Sequence, residues 1–156
     1  TGQRRKDREM KLLREYIRKL LTEENGNATP DFDGFMAEYE SMTQQNPLNP
    51  GQRYWNVGQK DGVDCMVITQ MNEFDDAISV LSIQTVPPDV CQGQGFASSV
   101  MNTLMNLADK YQVPASLDPE PFGQEKLGVK ELKAWYKRSG FKPDPAYGGE
   151  WRRYPK

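Results

Sequence analysis

The sequence spans 156 residues, the length of one domain that can bury roughly two-thirds of its unfolded surface without staples or metals. An apolar fraction of 37% is too high for a disordered chain, and the net charge is only -2. There is no histidine, which excludes Ser-His-Asp and Cys-His catalysis, histidine bases and nearly every zinc pattern; no metal is expected, and chemistry must use carboxylates, Tyr, Lys, Cys, backbone amides or a bound cofactor.

In chain order, Met10, Leu13, Ile17, Leu20 and Leu21 recur at helical spacing, which predicts an amphipathic helix over 5–21. Its other faces carry Arg4, Arg5, Lys6, Arg8, Lys11, Arg14, Arg18 and Lys19, either as an ordinary solvated face or as a surface for nucleic acid or an acidic protein. The breakers Glu24-Asn25-Gly26-Asn27 close a helical N-terminal extension, residues 1–30. A second short helix is predicted over 32–42, with Phe35, Met36 and Tyr39 on one side, and Asn46-Pro47-Leu48-Asn49-Pro50-Gly51 reads as a loop.

The period then changes. Residues 53–59, 63–71 and 77–86 are rich in β-branched and aromatic side chains and are separated by turn residues, which predicts a three-stranded antiparallel meander. A helix follows over 97–111, with Val100, Met101, Leu104, Leu107, Ala108 and Tyr111 as its apolar stripe. A strand over 113–117 would lie parallel to its predecessor because a whole helix crosses between them. A last helix over 129–139, ended by Gly140, and a strand over 150–154 complete an α/β (α+β) single domain, 1–156: a mixed, mostly antiparallel twisted sheet flanked by helices. Cys65 reads as a core residue of a strand and Cys91 as structural, too few to make a disulfide framework. With no signal-peptide pattern and no apolar run near the roughly 20 residues a membrane span needs, a cytoplasmic protein without membrane contact is expected, as monomer or homodimer.

The chemistry concentrates at Gln92-Gly93-Gln94-Gly95-Phe96-Ala97, between the third meander strand and the next helix. Glycines delivered to a helix start let the backbone approach a ligand closely, and the first helical N–H groups lack internal partners, so an anion fits there. The spacing is neither that of a P-loop nor that of a dinucleotide fingerprint. Taken alone, it is also what a tight strand-to-helix turn requires.

The order Gln92-x-x-Gly95-x-Ala97, with Ala134-Trp135-Tyr136-Lys137-Arg138-Ser139-Gly140-Phe141 downstream, resembles the two motifs of the GNAT superfamily of acetyl-CoA-dependent N-acetyltransferases, [R/Q]-x-x-G-x-[G/A] and A-x-x-[F/L]-Y-x-x-x-G-F. The resemblance covers 53–154 as an acetyl-CoA-binding core. It implies an acyltransferase that moves an acetyl group from acetyl-CoA to an amine acceptor. The amides of Gln92, Gly93, Gln94, Gly95, Phe96, Ala97 and Ser98 would hold the CoA pyrophosphate, and the main chain of Gln84, Thr85 and Val86 the pantetheine. Tyr136 would protonate the departing thiolate, although a tyrosine there is also ordinary core.

Two features depart from the family pattern. The third meander strand, with Ser79, Ser82, Gln84 and Thr85, carries no acid to serve as base. Asp118 is the nearest substitute by topology and Glu120 a weaker one, yet Asp118-Pro119 is also a common turn pair. Glu73, Asp75 and Asp76 would border the acceptor site or be simply solvated. The family opens on a strand before its first helices, whereas this sequence opens on the 5–21 helix, so the strand is missing or the N-terminal part rebuilt. These departures leave a second expectation: a weak or inactive CoA-binding protein of the same fold, acting through its basic N-terminal helix.

Overall fold

The computed structural model describes residues 2–25, 29–119 and 128–156. The chain divides into two units, Thr1–Pro30 and Asp31–Lys156. The first consists of α1 (Gly2–Asn25), longer than the periodicity predicts because no Gly or Pro interrupts 3–25. Within it Gln3 donates to Asp7, and Arg5 Nε meets Glu9 at 3.0 Å, both pairs one turn apart on the exposed surface.

The second unit begins with α2 (Phe32–Met42), capped by the Asp31 carboxylate, which accepts from the Gly34 amide at 2.9 Å. There follow β1 (Gln44–Asn46), β2 (Asn49–Lys60), β3 (Val63–Phe74), β4 (Ala77–Val86), α3 (Pro88–Cys91) and α4 (Phe96–Lys110). After these come β5 (Ala115–Leu117), α5 (Val129–Arg138), β6 (Lys142–Asp144), a 3₁₀ turn at Pro145–Tyr147 and β7 (Glu150–Arg153). The described strands make one sheet in the order β1-β2-β3-β4-β5-β7-β6, antiparallel throughout except between β4 and β5. This is a mixed α/β architecture on a mostly antiparallel sheet, as the pattern of periods predicts. Among the described residues no helix is long and apolar enough to cross a membrane.

The meander turns as expected. Asp61-Gly62 and Asp75-Asp76 link its strands as two-residue turns with every φ positive, between 52° and 76°. Residues 46–51, read as a loop, instead contribute to a hairpin: Asn46 pairs with Asn49, and Leu48 stands at the tip. That hairpin strand is short and local, and its polar residues carry no period-2 signal. Pro87-Pro88 ends β4 but also starts α3, where a proline in the first turn loses no helical hydrogen bond.

The core lies between the sheet and helices α2, α4 and α5. Phe35, Tyr39, Trp55, Val67, Ile83, Met101, Leu104, Leu132, Tyr136 and Phe141 are all buried in one cluster. Three polar tips inside it meet one another: the Tyr39 hydroxyl lies 2.6 Å from Thr69 Oγ1, which also accepts from Trp55 Nε1 at 3.0 Å. Burial raises the Tyr39 phenol above its ordinary value, against the smaller lowering effect of the Thr69 bond. Arg153, almost fully buried on β7, holds both oxygens of Asp109 on α4 at 2.9 Å and so ties the helix to the sheet's far side.

Candidate functional site

The site begins with a defect in strand pairing. β4 and β5 pair only where Ile78, Ser79 and Val80 face Ala115, Ser116 and Leu117. At that point Leu81 is inserted relative to β3, because Met71 pairs with Val80 and Gln70 already with Ser82. An extra residue increases the local bend and re-aims the strand. β5 ends at Leu117 while β4 continues to Val86, so the two strands part and leave one edge of β4 without a strand partner among the described residues.

A cleft of about 390 Å³ fills the opening on the α4 side. Ile83, Gln84 and Thr85 of β4 form one wall, Leu132 and Trp135 of α5 another. The floor is the glycine loop, with Gln92, Gly93 and Gly95, running into Phe96, Ala97 and Ser98 of α4. Gly93 and Gly95 have φ of 78° and 81°, a region in which a side chain is strained, and a Cβ at either would meet nothing within 4 Å. Gly95 is the N-cap of α4 and supplies no side-chain cap, and the first helical bond is that from Ser99 N to Gly95 O at 3.0 Å. The amides of Phe96, Ala97 and Ser98 therefore have no acceptor in the helix, and the three residues line the cleft. Gln92 Oε1 is buried without a hydrogen-bond partner among the described residues. Trp135 Nε1 donates to Ser98 Oγ at 2.9 Å and closes α5 against α4. Such a floor is suited to an anion, and the free edge of β4 to the main-chain groups of an extended polar chain.

Of the residues expected here, Gln84, Thr85, Gln92, Gly93, Gly95, Phe96, Ala97 and Ser98 line the cleft. Val86 and Gln94 do not: Val86 is the last residue of β4, and Gln94 is exposed between the two glycines. Ile83, Leu132 and Trp135 were missed. The signal for the last two was present, since they stand one helical turn apart, so that one face of α5 presents both. Tyr136, the next residue, is rotated away. It is 0% exposed, its ring centroid is 5.0 Å from that of Trp135 and 6.3 Å from that of Phe141, and it is not in the wall.

The cysteines require a correction. Rather than separate core thiols, Cys65 of β3 and Cys91 of α3 are disulfide-bonded, with Cα atoms 5.8 Å apart. The register explains the meeting: Met66 pairs with Val86, so Cys65 sits beside the end of β4, where α3 folds back. The bond anchors the chain immediately before Gln92.

A second cleft, about 800 Å³, opens where the strands part at the carboxyl end of β5. Asp118 is in its wall and exposed; Glu120 lies outside the described residues. Asn72, Phe74, Ser79 and Leu81 come from β3 and β4, and Tyr147, Gly148, Gly149 and Glu150 from the turn before β7. Glu73, Asp75 and Asp76 are not in the wall: Glu73 is exposed on β3, and the two aspartates are the turn between β3 and β4. Arg152, 1% exposed and unforeseen, organises this end. Its Nε meets Glu150 at 2.8 Å, Nη2 donates to the Asp75 carbonyl at 2.6 Å, and the guanidinium lies 3.3 Å from the Tyr147 ring centroid. No protein-family model and no curated protein sequence matches this chain.

Proposed function

We propose that the chain is a GNAT-type N-acetyltransferase that binds acetyl-CoA in the first cleft and passes the acetyl group directly to a primary amine. The observation that carries this reading is the glycine loop: two left-handed glycines bring the uncapped start of α4 into a cleft beside the free edge of β4. A pyrophosphate suits the amides of Phe96, Ala97 and Ser98, and an amide-bearing arm suits the main chain at Gln84 and Thr85. A parallel β4–β5 pair that parts at a bulge, inside an otherwise antiparallel sheet, supports the same fold reading. The short hairpin strand β1 occupies the sheet edge beside β2 and follows α2 in the chain.

Acetyl-CoA supplies a thioester whose carbonyl carbon bonds to the amine nitrogen as the carbon–sulfur bond breaks, leaving a thiolate that takes up one proton while the nitrogen gives up another. Asp118, in the wall of the second cleft, is assigned to the amine and its proton. Tyr136 is assigned to the thiolate on the resemblance of its motif. Calorimetry with acetyl-CoA, followed by thiol release against a panel of amines, tests the function: saturable binding and amine-dependent thiol are expected, and no heat at millimolar acetyl-CoA overturns it.

Two observations favour the second reading, a CoA-binding protein with little or no turnover: Tyr136 lies outside the cleft wall, and β4 carries no acid. Binding without thiol release for any amine would select it, and salt-dependent nucleic-acid binding lost with the residues before Thr22 would assign α1 its role.

A further inference from the structure

The second cleft is the larger of the two and has more chemistry than an amine in general requires. We infer that it selects a primary monoamine with a flat apolar body, such as an arylalkylamine, over polyamines, aminoglycosides and lysine side chains in charged peptides. This inference rests on the acetyl-transfer reading and specifies its acceptor.

Position comes first. Ser79 and Leu81 line the second cleft, Ile83 and Thr85 the first, and the inserted Leu81 separates them on one strand. A molecule in the second cleft therefore approaches the parting of β4 and β5 from the end opposite to the glycine loop.

The wall is apolar where a ring would lie. Phe74 is 62% exposed and Leu81 41%, both in the same wall on the neighbouring strands β3 and β4, and their apolar surface is left in water. Covering such surface is favourable at about 25 cal/mol per Å². Gly148 and Gly149 contribute bare backbone to the wall at φ of 68° and 86°, and a Cβ added at either would meet nothing within 4 Å. A cleft with an aromatic side chain and a stretch of side-chain-free backbone in its wall suits a flat group.

Charge then fixes the number of cationic centres. Two carboxylates belong to the wall, Asp118 and Glu150. Glu150 is already neutralised by the buried Arg152 at 2.8 Å. Asp118 has no ion pair among the described residues and is exposed. One uncommitted carboxylate matches one ammonium. A polycation would set its further charges against the apolar surface of Phe74 and Leu81, where desolvation opposes binding.

The test uses the full chain with acetyl-CoA and compares 2-phenylethylamine with spermidine and kanamycin in thiol release. The expected result is a kcat/KM for 2-phenylethylamine at least about tenfold above either polycation, falling about tenfold or more in Asp118→Asn through a raised amine KM and a lowered kcat together. Gly149→Leu, which sets a side chain on the bare backbone of the wall, should raise the KM for 2-phenylethylamine while leaving the acetyl-CoA Kd from calorimetry unchanged. Chemical-shift changes at Phe74, Asp118 and Tyr147 on adding 2-phenylethylamine read the same cleft without turnover. A preference for spermidine, or an Asp118→Asn variant with unaltered amine KM, overturns the inference and leaves acetyl transfer standing. Absence of acetyl-CoA binding in the same preparation overturns the transferase reading itself, and shift changes caused equally by spermidine then overturn the selectivity as well.

Discussion

Gly95 carries two requirements at one position: it caps α4 in a left-handed conformation, and it leaves the first helical amides accessible. Gly95→Ala has room for its methyl group in the free protein, so its cost there is conformational, about 1 kcal/mol of stability. A larger effect is expected on ligand binding, since the methyl group enters the space a phosphate would use. Denaturant unfolding and acetyl-CoA calorimetry on one variant separate the two, and an unchanged Kd would remove the loop from the site. For Tyr136→Phe, the proton-donor assignment predicts a fall in kcat of about tenfold or more with acetyl-CoA affinity unchanged. Turnover intact at neutral pH would leave Tyr136 as core packing between Trp135 and Phe141.

At the scale of elements, three attachments hold the site. The Cys65–Cys91 disulfide joins β3 to the segment entering the glycine loop across a sequence separation of 26. Closing a loop of that length lowers the entropy of the unfolded chain, so reduction should cost about 3 kcal/mol, seen as a lower melting temperature with reductant. A Cys65→Ala/Cys91→Ala variant with an unchanged melting temperature would count against it. α2 meets α4 at Gly34, where a Cβ would come within 2.5 Å of the Tyr111 ring, so Gly34→Ala is expected to lose roughly 1–3 kcal/mol by overpacking.

The third attachment is the Asp109–Arg153 pair between α4 and β7. Burial raises the Asp109 carboxyl, but hydrogen bonds from Arg153 and the Lys156 amide, with their charges, outweigh it and hold the group below its ordinary value of 3.8. A carboxyl lowered on folding stabilises at pH above its unfolded value and loses that contribution as pH falls through the folded value. Asp109→Asn should therefore cost about 2 kcal/mol at pH 7, discounted from a fully buried pair for its partial exposure, and the gap from the parent should close below pH 3.8. Urea unfolding at pH 7 and pH 3 checks both statements.

Over the whole molecule, the local periods of the chain were sufficient to foresee α2, the three-stranded meander, α4 and α5, because side-chain alternation and helical spacing are properties of neighbouring residues. The glycine loop was legible for the same reason, being one contiguous stretch with a specific backbone demand. The short strands β1 and β6 were not, since three residues, all polar in β1 and interrupted by Pro143 in β6, hold no periodic signal and gain strand geometry only from a partner. The sequence by itself determined the mixed α/β class and the position of a glycine loop at a helix start, within 92–98. Tertiary structure alone decided that Cys65 meets Cys91, that Tyr136 turns inward while Trp135 lines the cleft, and that Asp118 shares a wall with Phe74 and Tyr147. Each of these depends on strand register and helix rotation, which are set by how distant segments pack and leave no mark on the order of residues in either segment.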